Sequence, residues 1–294
     1  MFKPIYNLHS NISWWHLSLN ENAIYLLEQN IDKIIWYTIS SNPNAIPILE
    51  KNLDKIYWSE LAFNPNAIHI LKKNINKVAY SDLSANPNAI HLLEESPNRM
   101  HFYTLSSNPN AIHLLEKNQD KICWETLSKN PNAIPILEKN INKINWRMLS
   151  RNPNAIHILE QYPDKIYWPN LSHNPNAAHI LKNNLNKVDW LWLSANPNAI
   201  RILEKHPDKI NYKWLSSNPN AIHIIEENLD KIDLEMLSRN PNAIHLLAPL
   251  NHEKMREQCK EFARELISYV LHPIRLFRLA NSMNMDLEEY MELL

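Results

Sequence analysis

At 294 residues with a net charge of −1, the chain lacks the cationic excess that dominates affinity for nucleic-acid backbones. Hydrophobic residues make up 45%, which excludes a disordered chain. Two cysteines, Cys123 and Cys259, give no metal-ligand spacing and point to a reducing, intracellular setting; no apolar run reaches the length of a membrane span, and the N-terminal stretch has no signal core.

The first element expected is a short helix in Ile12-Ser13-Trp14-Trp15-His16-Leu17-Ser18-Leu19, a half-unit within a cap over residues 1–19. From Asn20 onwards one string recurs, best seen as Asn130-Pro131-Asn132-Ala133-Ile134. Its first asparagine stands at 42, 64, 86, 108, 130, 152, 174, 196, 218 and 240, with a degenerate copy at Asn20-Glu21-Asn22-Ala23-Ile24, always at a step of 22 residues. A fixed period in this range marks a solenoid.

Number each unit from its first asparagine. Proline at position 2 pushes the preceding residue out of helical space, so the asparagine at position 3 is expected to cap a helix over positions 4–10. Apolar residues at 4, 5, 7 and 8 (Ala155, Ile156, Ile158, Leu159) oppose polar ones at 6, 9 and 10. With glycine absent against an average of about 7%, the asparagine at position 11 (Asn52, Asn140) is expected to supply a left-handed C-cap. Asp or Asn at 13, lysine at 14 and an aliphatic at 15 form a link. A second helix over 17–22 follows, with an aromatic at 17 (Trp124, Trp146), Leu or Ile at 20 and a small residue at 21 (Ser128) that permits close helix contact.

A single unit is too small to fold alone and needs its neighbours. The expected fold is therefore all-α: an α-solenoid of about ten helix-pair repeats over residues 20–248, drawn out into a rod or superhelix on the order of 90 Å long at helix spacings of ~8–10 Å. A leucine-rich horseshoe would need an inward aliphatic at position 18, where Ser59, Glu125, Arg147 and Lys213 stand. After Leu247 the pattern changes, and a helical cap is expected over 249–294, with helices at 253–271, 274–282 and 287–293.

The Asn-Pro-Asn-Ala-Ile units with their Lys-Ile-x-Trp-x-x-Leu-Ser link resemble repeat proteins encoded by large DNA viruses that infect amoebae. The tail from Tyr269-Val270-Leu271-His272-Pro273 to Asp286-Leu287-Glu288-Glu289-Tyr290 resembles a C-terminal module of the same proteins. That resemblance implies a non-enzymatic protein made in the host cell and supplies no functional residues. Glu21 for proline, Ala178 for isoleucine and Leu234 for an aromatic depart from the pattern.

The chemistry-bearing candidates are few. Histidines at position 6 (His69, His91, His113, His157, His179, His223, His245) lie opposite the apolar side, too far apart to share one zinc ion. The aromatic file at 17 reads as core, not as a base-stacking platform. No serine has a partnered base, and without glycine there is no phosphate loop. No catalytic residue, metal or cofactor is expected. The diversified positions are 18, 19 and 22. Trp15, Tyr37, Tyr103, Arg147, Trp192 and Trp214 are the candidate partner-binding residues, on a second-helix face that takes a macromolecule, foremost a protein. The alternatives are a nucleic-acid reader, which requires a continuous basic stripe, and a structural virion or scaffold component.

Overall fold

The computed structural model describes residues 12–247, together with Leu276 and Asp286. The chain divides into two compact units, the first ending at Leu247 and the second beginning at Ala248. The helices expected over 249–294 lie outside the described residues apart from those two positions.

Every regular element among the described residues is helical. First helices start at position 5 and are short, from Ile24–Glu28 and Ile46–Glu50 through Ala178–Lys182 and Ile200–Leu203 to Ile244–Leu247. Second helices start at position 17, from Trp14–Leu19 and Trp36–Ser40 to Trp190–Ser194, Tyr212–Leu215 and Leu234–Arg239. A 3-10 turn over positions 12–14 links most pairs, as at Leu53–Lys55. The alanine at position 4, the aliphatics at 7 and 8 and the leucine at 20 (Ala133, Ile136, Leu137, Leu149) are buried in one continuous core. The aromatic at 17 packs half-buried on its edge, as Trp124 and Trp146 do.

Two local expectations are corrected. The side chain that caps the turn into each first helix is the asparagine at position 1: Asn42 Oδ1 accepts from the Asn44 N–H at 3.0 Å, and Ala45, directly before the helix, contributes no side-chain cap. The proline at position 2 forces an extended asparagine before it, so the first turn is 3-10 or open and the helix starts later than position 4. The asparagine at position 11 is not left-handed; Asn52 sits at φ −138° and donates from Nδ2 to the Ile48 carbonyl at 2.9 Å. A side-chain bond back one turn satisfies the orphan carbonyl that a glycine cap would otherwise leave to the backbone.

The joints between units are hydrogen-bonded in a fixed pattern. At each joint the position-1 asparagine, fully buried, donates from Nδ2 to two carbonyls of the preceding unit, as Asn130 does to Ser106 O at 3.0 Å and Asn108 O at 2.9 Å. The position-3 asparagine donates to the carbonyl at position 2 of the preceding unit, as Asn132 does to Pro109 O. The serine at 21 does more than allow close approach. Ser128 Oγ donates to the Trp124 carbonyl and accepts from the Asn145 N–H of the next unit.

The same bonds join the two ends of the array. Asn20 Nδ2 donates to Ser238 O and Asn240 O, both at 3.0 Å, Asn22 Nδ2 reaches Pro241 O, and the Ser13 N–H donates to Ser238 Oγ. The helix Trp14–Leu19 packs against Leu234–Arg239 on one side and Trp36–Ser40 on the other. The expected open rod is therefore overturned: residues 12–247 close into a ring. Eleven asparagines, at 20 and then every 22 residues to 240, make eleven joints, so each unit turns by roughly 33° with no net rise. Among the described residues, the segment 12–19 does not end an open stack. Its helix supplies the second-helix position beside Ile244–Leu247, so that one unit is assembled from both ends of the array. Among the described residues this arrangement flanks Trp14–Leu19, the first helix of the stack, on both sides, as in the interior units.

Candidate binding surface on the inner wall of the ring

In a closed ring of equivalent units, corresponding points in neighbours stand closer together the nearer they lie to the axis. Second helices pack directly on second helices, as Trp168–His173 on Trp190–Ser194 and the latter on Tyr212–Leu215, while no two first helices approach as closely. The second helices therefore form the inner wall. With helix axes ~8–10 Å apart and helix radii of about 5–6 Å, eleven of them leave an opening on the order of 20 Å across.

Positions 18, 19 and 22 face this opening, because 17, 20 and 21 are taken up by the core and the joints. All six candidate residues lie on this wall, with Trp15 47%, Tyr37 40% and Tyr103 54% exposed. Closure brings four of them into one sector. Trp192 and Trp214 pack with ring centres 5.0 Å apart, and Trp15 stacks on Tyr37 at 5.6 Å. Between the two pairs stands one helix, carrying Glu235 and Met236, with the Glu235 carboxylate 3.6 Å from His16 Nδ1. Tyr57 extends the sector edge-on to Tyr37 at 5.5 Å, and His173 extends it at the other end, edge-on to Trp192 at 5.6 Å. Tyr103 and Arg147 stand elsewhere on the wall; Arg147 lies over the Tyr167 ring.

Tyr57, His173 and Met236 are missing from the sequence-based set. Pairing positions near 236 with positions near 15 on a circle would have found Met236, and pairing position 22 with position 19 of the next unit would have found His173. Tyr57, at position 16, lies outside the diversified positions and reaches the sector through its ring contact with Tyr37.

Charge on the wall is nearly balanced. Over positions 18, 19 and 22, the cations Lys129, Arg147, Arg151, Lys213 and Arg239 are set against Glu60, Asp82, Glu125 and Glu235. The Glu60 carboxylate beside the Tyr37 hydroxyl, as hydrogen-bond acceptor first and as a charge second, raises that phenol above its ordinary 10.0. Burial, helped by Arg151 and Arg239 and partly offset by the Trp192 backbone, lowers His173 below its ordinary 6.5. His173 Nδ1 is buried with no hydrogen-bond partner.

The His173 shift has a definite sign in stability. A base with a lowered folded-state pKa binds more protons when unfolded, so the stability it carries is present above pH 6.5 and is lost as the pH falls below it. Wild-type and His173→Gln urea midpoints, compared at pH 7.5 and 5.5, should show the larger acid-side drop in wild type; equal drops would refute the assignment.

The lysines at position 14 form no free cationic row. Lys33, Lys55, Lys77 and Lys143 each lie 4.7–5.1 Å above the aromatic at position 17 of the preceding unit. Where position 11 is itself aromatic, that ring takes the contact instead: Tyr162 on Trp146 and His206 on Trp190. Lys165 and Lys209 then turn to Asp164 and Asp208. On the first helices, six histidines at position 6 bridge to the glutamate at position 9 of the preceding unit, as His157 Nε2 does to Glu138 Oε1 at 2.9 Å.

Among the described residues no group of three or more His, Cys, Asp or Glu is arranged to hold a metal ion, and no helix is long and apolar enough to cross a membrane. Comparison with protein-family models, with curated proteins and with solved structures gives no match.

Proposed function

We propose that the ring is a non-enzymatic binding module that takes a polypeptide segment against its inner wall. The observation that carries this reading is the aromatic sector on the wall, with Trp192 and Trp214 half-buried and Trp15, Tyr37 and Tyr57 exposed, set in an otherwise patchily charged frame. Tryptophan and tyrosine anchor protein interfaces more often than other side chains because they combine large apolar area with few rotatable bonds. An opening on the order of 20 Å admits one helix of about 10–12 Å diameter, or an extended strand. Near-balanced charge on the wall favours a polypeptide with mixed side chains over a nucleic acid, which requires a cationic path.

Affinity capture from cell extract with wild type and with Trp192→Ala/Trp214→Ala tests the reading. Both rings are half-buried side chains that lie outside the continuous core, so the variant should keep its helical circular dichroism and lose its polypeptide partners. Equal recovery with both proteins would rule out the aromatic sector as the anchor. Binding to DNA or RNA that weakens steeply with salt would instead favour the nucleic-acid reading.

A further inference from the structure

On the outer surface, between the first helices Ala178–Lys182 and Ile200–Leu203, a cleft of about 1240 Å³ opens, large enough for a ligand of small-molecule size. Two departures from the repeat meet in it. Position 5 is isoleucine in every other unit and alanine at Ala178, so a branched side chain is missing from the wall. The glutamate–histidine bridge that ties neighbouring first helices is here replaced by two cations, with Lys182 at position 9 and Arg201 at position 6 of the next unit. Lys205 lines the same cleft. None of these three cations has an ion pair among the described residues, while the nearby Glu204 is held by His223 at 3.0 Å and His179 by Glu160 at 2.9 Å. Ile200, Ile202, Leu185 and Pro197 supply an apolar lining.

We infer that this cleft is a binding site for an amphiphilic anion, an aliphatic carboxylate whose chain occupies the space left by Ala178 and whose head group is held by Lys182 and Arg201. Two like charges brought together without a counter-ion are unfavourable, and a carboxylate between them relieves that repulsion while accepting charge-assisted hydrogen bonds. The missing side chain gives an apolar tail a place to go that the other ten joints lack.

Calorimetric titration of the full chain with octanoate tests the site, with inorganic phosphate and octanol as arms carrying only the charge or only the tail. Octanoate should bind wild type, and both arms should bind at least about tenfold more weakly. Ala178→Ile and, separately, Lys182→Glu/Arg201→His restore residues found at the same positions in other units, so both variants should keep the wild-type urea midpoint. Each should lower octanoate affinity by about tenfold or more. No octanoate binding to wild type, equal binding of phosphate or octanol, or octanoate binding unchanged in both variants would overturn the assignment.

Discussion

Asn130→Ala is expected to destabilise the ring by about 4–6 kcal/mol, among the largest effects of any single polar substitution in the chain. Its Nδ2 serves Ser106 O and Asn108 O, its Oδ1 accepts from the Asn132 N–H, and the residue is 1% exposed. Three bonds at about 1 kcal/mol each are lost, and a buried acceptor left unsatisfied adds about 1–3 kcal/mol. Asn108 O keeps the Ala111 N–H, so Ser106 O is the group that suffers. Asn132→Ala is the control. It removes one exposed bond to Pro109 O and should cost about 1 kcal/mol or less. Urea unfolding of the two variants measures the difference, and similar costs for both would show that the buried ladder does not hold the joints.

Asn20→Ala should cost as much as Asn130→Ala. In an open stack the first asparagine of the array has no preceding unit, its Nδ2 faces water, and its removal is nearly silent. In the ring, Asn20 is buried at 3% exposure and makes the same two donations, to Ser238 O and Asn240 O, as every other member of the ladder. Amide exchange reports the same physics without a substitution. The helix Trp14–Leu19 should be protected as well as Trp124–Ser128, because both are flanked on two sides, the latter by Trp146–Leu149 and, through Thr126 Oγ1 donating to Tyr103 O, by Phe102–Leu105, whereas an open array frays at its ends. A silent Asn20→Ala, or fast exchange confined to residues 14–28, would mean that the ring opens at this joint in solution.

The candidate surface inherits this closure. Trp15 and Trp214 are 199 positions apart in the sequence, yet only the helix Leu234–Arg239 separates theirs on the wall. Opening the joint would split the aromatic sector in two. Loss of partner binding in Asn20→Ala, beyond that in Asn130→Ala at equal stability, would therefore tie binding to closure.

The repeat length, the helix pairing and the buried set were legible in the residues. Each follows from local rules: proline fixes where a helix can begin, and apolar side chains at positions 4, 5, 7, 8 and 20 can be covered only by a neighbouring unit. The diversified positions were legible too, because side chains excluded from core and joint are free to differ. The choice of capping asparagine is not legible, since positions 1 and 3 carry the same residue and only the backbone shows which side chain reaches an N–H. Closure could not be read at all. It depends on a turn of roughly 33° per unit repeated over eleven joints, and an error of a few degrees in each accumulates into an open spiral. That angle is set jointly by the asparagine ladder, the serine at 21 and the packing of second helices. Sequence alone thus determined what each unit is made of and which side chains it leaves free. Tertiary structure decided that those side chains face one another across an enclosed opening, because an angle between units is a property of the contact and not of either partner.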